Sequence, residues 1–122
     1  MDNELQQSWD WQIEGARSFD ESVDNDHTWP PPNLSVLTAA VHATTLRRLH
    51  PFTSHASLHL SSSARCWEPG ARTAPACIAM GPSGDYFVWS GEMGTNEQVL
   101  VLETPDPAAA AARFEELLAG WE

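Results

Sequence analysis

Apolar and polar positions follow two rhythms along this chain, and the rhythm changes where turn residues fall. Residues 34–49 contain no Gly or Pro, and Leu34, Leu37 and Val41 recur at helical spacing. Asn33 is placed to cap that predicted helix, Arg47 and Arg48 fall in its last turn, where the dipole favours cations, and Pro51 ends it. Over residues 56–62 the period becomes two, with Leu58 and Leu60 on one side and Ser57, His59 and Ser61 on the other, which describes a half-buried strand. A loop rich in Pro, Gly and Arg follows at residues 64–75. Residues 76–80 and 86–90 then flank Gly81-Pro82-Ser83-Gly84-Asp85, a hairpin signal with two glycines to supply positive φ. The unbroken run Val99-Leu100-Val101-Leu102 within residues 98–103 predicts a fourth strand that is covered on both faces or central. Asp106 can cap a closing helix with Pro107 at its first position, and Ala111, Phe114, Leu117, Leu118 and Trp121 mark its apolar face.

Residues 1–32 read two ways. Trp9, Trp11 and Ile13 alternate with polar residues as in a strand, whereas Leu5, Trp9 and Ile13 fit one face of a helix. An acidic stretch at residues 18–28 leads into Trp29-Pro30-Pro31-Pro32, a stiff extended connector. The pattern therefore divides into an acidic, Trp-containing N-terminal arm at residues 1–32 and an α+β domain at residues 33–122. Its short connections favour an antiparallel sheet of about four strands, with one helix before it and one after.

Composition narrows the partners. A chain of 122 residues that is 42% apolar and holds six Trp can bury one real core. The net charge is −11, and all six basic residues are Arg. Nucleic acids and anionic membranes call for clustered Lys and Arg, so those partner classes are not expected, whereas a basic partner is permitted. Residues 1–26 carry eight acids against one Arg, an asymmetry that marks a solvated or interacting segment. The opening MDNELQQSWDW lacks the pattern of an export signal, and two cysteines without such a signal read as free thiols, so a cytoplasmic location is expected.

Several side chains could carry chemistry. His50, His55 and His59 lie close in sequence, and on an extended segment His55 and His59 share a face. No carboxylate or Cys stands at ligand spacing beside them, so no metal is expected, and His55 reads either as a structural anchor or as a site residue without metal. Arg65 beside Cys66 is a weak sign of an activated thiol; Cys66 and Cys77 are expected to be inert thiols, with a regulatory disulfide as the alternative. Ser61-Ser62-Ser63 lacks a nucleophile elbow, and the 81–84 segment lacks the Lys of a phosphate loop. Arg47 and Arg48 could clamp a carboxylate, although stabilisation of a helix end explains them as well. Trp89 and Trp121 belong to periodic segments and are expected in the core. Trp9, Trp11, Trp29 and Trp67 lie in polar or loop contexts, where aromatics fold back or anchor a partner.

The stretch Leu46-Arg47-Arg48-Leu49-His50-Pro51-Phe52-Thr53-Ser54-His55-Ala56-Ser57-Leu58-His59-Leu60-Ser61 resembles a family of uncharacterised actinobacterial domains associated with natural-product biosynthesis. Cys66-Trp67-Glu68-Pro69 and Asp85-Tyr86-Phe87-Val88 resemble its later blocks, and the likeness covers roughly residues 34–120. This chain departs at His50, where an aromatic is usual, and at Leu60, where Phe is usual. The resemblance implies a context, the maturation or assembly of a secondary metabolite such as a ribosomal peptide, and adds weight to Ser54 and His55. The expected function is an accessory protein that binds a peptide, a small apolar intermediate or a pathway enzyme without cofactor. Its expected binding surface comprises Thr53, His59, Trp9, Trp11, Trp29 and Trp67. An alternative is a cofactor-independent cyclase or lyase with His55 as general acid or base and Ser54 or Arg48 orienting the substrate. A third is an immunity or inhibitor protein that neutralises a basic partner.

Overall fold

The computed structural model describes residues 3–26, 34–54, 57–64, 69–81, 84–92 and 95–121, with the backbone alone for residues 22–26. Among the described residues there are three α-helices, α1 (Asn3–Asp26), α2 (Leu34–His42) and α3 (Pro107–Leu117), and a short 3-10 turn at Thr45–Arg48. Five strands, β1 (His50–Ser54), β2 (Ser57–Ser61), β3 (Ala76–Met80), β4 (Tyr86–Ser90) and β5 (Val99–Thr104), make one antiparallel sheet in chain order. The molecule is a single α+β domain. α1 lies on β1 and α2, α2 lies on α3, and α3 lies on β3, β4 and β5, so the helices run side by side across the sheet. Leu58, Leu60, Ile78, Tyr86 and Val88 of the sheet bury against Leu37, Val41 and Phe114 of the helices. None of the helices among the described residues is long and apolar enough to cross a membrane.

The first segment is a helix, and it is part of this core. Trp9, Gln12 and Ala16 share one face and are buried, flanked by half-buried Leu5 and Phe19. Residues 3–26 therefore do not stand apart as an arm. One of their acids has a structural use. The Asp20 carboxylate accepts from the backbone N–H of Leu34 (2.9 Å) and of Ser35 (3.0 Å), meeting the first two amides of α2. Asn33, predicted to cap that helix, lies outside the described residues.

The predicted helix over residues 34–49 is shorter than its pattern. α2 ends at His42, and Thr44, in extended conformation, accepts from the Leu46 N–H and starts the 3-10 turn. Arg47 and Arg48 close that turn rather than a long helix. The chain then enters β1, a strand the pattern had not shown, which raises the sheet from about four strands to five. Pro51 sits inside β1 instead of ending a helix, and an edge strand tolerates it because one side needs no N–H.

β5 also departs from expectation. It is the other edge of the sheet, and Val99 and Leu100 are 56% and 40% exposed. Val88 pairs with Leu102 and Trp89 with Leu100, so Val101 is the extra residue of a bulge. An unbroken apolar run here records a break in alternation, not burial on both faces. In the β3–β4 hairpin, Gly84 has the positive φ (+88°), whereas Gly81 lies where an added Cβ would strike the Phe87 ring. α3 follows the sequence closely: Asp106 Oδ1 accepts from the Ala108 N–H (3.0 Å), with Pro107 in the first turn. Trp89 and Trp121, expected in the core, are half-buried at its margins.

The closure of α1 on the sheet should be measurable by urea denaturation. Trp9→Phe keeps the ring but leaves two main-chain carbonyls without their donor, and should cost about 1–3 kcal/mol. Trp9→Ala should cost about 3–5 kcal/mol. Trp11→Ala, two residues away and 71% exposed, should stay within about 0.5 kcal/mol of the parent.

Candidate functional site

α1 crosses the chain at the point where α2 gives way to the 3-10 turn. The Trp9 indole Nε1 there donates to the carbonyls of Arg47 and Leu49, both at 3.0 Å. The same ring meets His42 edge-on, with centroids 4.9 Å apart and planes at 62°. Leu46 and Leu49 point inward and are buried, which leaves Arg47 and Arg48 exposed on the turn. The result is a cleft of about 620 Å³ lined by Leu5, Gln6, Trp9, His42, Thr45, Arg47 and Arg48. Its lining is mostly apolar, with two adjacent guanidinium groups among the residues that form it, a composition that suits a small-molecule site.

The electrostatics of this cleft differ from those of the rest of the chain. Arg17 is paired with Glu14 (2.6 Å) and Arg113 with Glu116 (2.8 Å), each within one helical turn. Arg72 lies over the Trp121 ring, 5.4 Å from its centroid. Arg48 donates to the Leu118 carbonyl at a long 3.4 Å. Among the described residues, the Arg47 guanidinium has no hydrogen-bond or ion-pair partner. Glu115 adds one negative charge nearby, held by the Thr45 N–H (2.8 Å) and Thr45 hydroxyl (2.7 Å). Those two donors, the backbone one first, pull its carboxyl below the usual carboxylate range. A second cleft of about 580 Å³ opens beside Arg72, Thr73, Glu92 and Trp121, but its guanidinium already covers the indole.

The residues singled out from the sequence go to different places. Thr53 exchanges hydrogen bonds with the Gln12 amide of α1 (2.8 and 3.0 Å). Ser54 is half-buried at the end of β1 and pairs with Ser57. His55, Trp29 and Trp67 lie outside the described residues, as does Cys66. Arg48 is at the cleft, six residues from Ser54 along extended chain, or roughly 20 Å at full strand rise, so β1 holds Arg48 and Ser54 apart. Trp9 is 2% exposed, which removes it as a protruding anchor: it supports the cleft from below. Trp11 is exposed on α1 but does not line the cleft.

Among the described residues, His50 and His59 are each engaged by packing partners of their own. His50 Nδ1 and Ser8 Oγ on α1 form a hydrogen bond of 2.8 Å. His59, expected at the binding surface, is 1% exposed and stacks on Phe52, with centroids 5.1 Å apart and planes at 14°. It is closed to ligands from solvent. Among the described residues no group of three metal-ligating side chains occurs. Cys77 is buried, and burial pushes its thiol pKa up, away from nucleophilic reactivity. The cleft residues Leu5, Gln6, His42 and Thr45 carried no signal in the sequence. Arg47 carried a partial one, as half of an adjacent Arg pair.

His59 has a consequence for stability. Its Nε2 is buried without a hydrogen-bond partner among the described residues, and burial lowers its pKa from the ordinary 6.5. Above that value the imidazole is neutral whether the chain is folded or not. As pH falls through it, the unfolded chain takes up a proton that the folded chain resists, so stability declines. His59→Phe, which keeps a ring against Phe52, should therefore lose less stability than the parent between pH 7.5 and 5.5 in urea denaturation. Equal losses in the two proteins would remove His59 as the cause.

No curated protein and no solved structure matches the chain. A family match, by contrast, runs over residues 7–118, from within α1 through all five strands and the whole of α3. It includes Trp9, His42, Thr45, Arg47 and Arg48. The extent of that match decides the assignment: the chain belongs to the family of unknown function DUF6193.

Proposed function

We propose that this protein is a binding module, an accessory of natural-product biosynthesis that takes a small apolar intermediate into the cleft between α1, α2 and the 3-10 turn. The observation that carries the reading is the rigid apolar floor. Trp9 is fixed by two main-chain acceptors and by His42, so the cleft exists before any ligand arrives. Its volume, about 620 Å³, lies in the range that takes drug-sized molecules. The biosynthetic context rests on the likeness of the 46–61 block to domains with that association. The binding itself rests on the cleft, and it uses the protein's own side chains without a cofactor.

A neutral fragment tests the binding. In nitrogen-edited NMR spectra, 1-naphthaleneacetamide should shift the Trp9 indole N–H and the amides of Gln6 and Thr45, with a Kd on the order of 1 mM for so small a molecule. Leu5→Glu, which places a charge on the floor, should abolish these shifts, whereas Trp11→Ala should leave them unchanged. Shifts confined to other parts of the molecule, or none at millimolar fragment, would sink the reading.

A further inference from the structure

We infer that the natural occupant of this cleft is a small apolar carboxylate, with Arg47 receiving the carboxylate and Arg48 supporting it. The inference rests on the proposed binding function and names its ligand class. Acids outnumber Arg by 17 to 6 in this chain, yet among the described residues neither Arg47 nor Arg48 is paired with a carboxylate. Arg17 and Arg113 each have a Glu within one helical turn, and Arg72 covers Trp121. Arg47 has no side-chain partner among the described residues, and Arg48 has only a long bond to a main-chain carbonyl. Both line the same, mostly apolar cleft. A planar guanidinium at the rim of an apolar cleft suits a carboxylate, which can accept two parallel N–H bonds while its apolar body stays out of water.

The lining also favours a small molecule over a peptide. Trp9 stands inside α1, where main-chain groups bond within the helix; the Thr45 N–H donates to Glu115, the Arg47 N–H to the Thr44 carbonyl, and the Arg47 and Leu49 carbonyls accept from Trp9. Recognition of an extended peptide draws on a run of free main-chain donors and acceptors, and in this lining the places for such groups are confined to the helix ends at Leu5 and His42. Glu115 is the opposing charge. Its carboxylate is engaged with Thr45, and against it stand the two guanidinium groups.

Calorimetry on the full chain with a matched pair of ligands tests this. 1-Naphthaleneacetate should bind at least about 10-fold tighter than 1-naphthaleneacetamide, the gain expected from one charge-assisted pair. Arg47→Gln should erase that preference, weakening the acid about 10-fold and the amide by much less. The variant leaves the Arg47 carbonyl in place for Trp9, so it should fold. Glu115→Gln keeps an acceptor for Thr45 and should tighten the acid alone by a few fold. Equal affinity for acid and amide, or a preference that survives Arg47→Gln, would overturn the carboxylate assignment and leave the cleft as an apolar site. Failure of both ligands to bind would overturn the cleft reading together with the inference. Tighter binding of a free-acid dipeptide such as acetyl-Leu-Phe than of naphthaleneacetate would overturn the small-molecule assignment.

Discussion

The indole N–H of Trp9 reaches the one stretch of chain where helix turns into strand, and the placing of α1 follows from that. Arg47 and Leu49 offer their carbonyls there because the 3-10 turn is ending and β1 has not begun. Such carbonyls must find donors once they are buried. Trp9 supplies one, and with it a large apolar ring. Three further polar contacts continue along α1: Ser8 to His50, Gln12 to Thr53, and Asp20 to the first amides of α2. The apolar stripe of α1 is thin, comprising Leu5, Trp9, Ala16 and Phe19, and would allow some sliding along the sheet. The polar contacts remove that freedom, since each buried donor or acceptor is satisfied in one position of the helix only.

The same arrangement explains why a cleft forms at that end of α1. Trp9 holds the helix against the turn, yet α2 stops at His42 and the chain draws back into Thr44 and Thr45. The space left between α1 and the turn is walled by side chains that had to be there for the fold. The charge in its lining follows from the turn as well. With Leu46 and Leu49 facing inward, the two residues between them face outward, and both are Arg. Over the whole molecule the potential is negative, so an anion would gain nothing from long-range attraction. At about 8–10 Å, the screening length at physiological salt, the distant acids fade and the nearby guanidinium groups dominate. A carboxylate would be recognised at contact, not steered from afar.

Much of the fold was legible in the sequence. The period-two segments around Leu58, Ile78 and Val88 are strands, and the Asp106-Pro107 start of α3 stands where the cap chemistry placed it. The parts that were not legible have two causes, side-chain bonds to the neighbouring main chain and tertiary contacts that override the local pattern. Residues 34–49 lack a helix breaker, but Thr44 offered its hydroxyl to the main chain and ended the helical run early. β1 contains a Pro and no alternation of its own, and exists because β2 and α1 pair and cover it. The run at residues 99–102 imitates a buried strand because a bulge places one extra apolar residue in it. Trp9 and Trp11 have the same local surroundings, and only the position of α1 separates a core anchor from a side chain 71% exposed.

The candidate site was legible only in part, and for a physical reason. The block from Thr53 to His59 looked like the place for chemistry because it concentrates hydroxyls and imidazoles. Two of its ends are occupied by packing. Thr53 is bonded to Gln12, and His59 is buried and stacked on Phe52, with no hydrogen-bond partner for its Nε2 among the described residues. Polar residues in a strand can hold a neighbouring helix in register as well as act on a substrate, and the sequence does not separate the two uses. The separating feature is where unmatched charge meets apolar space. In the described structure that juxtaposition occurs at Arg47, where the apolar lining of Leu5 and Trp9 meets a guanidinium without a partner. The His59 imidazole, 1% exposed and stacked on Phe52, is closed to a ligand from solvent, whereas the Arg47 guanidinium at the helix crossing is open to one.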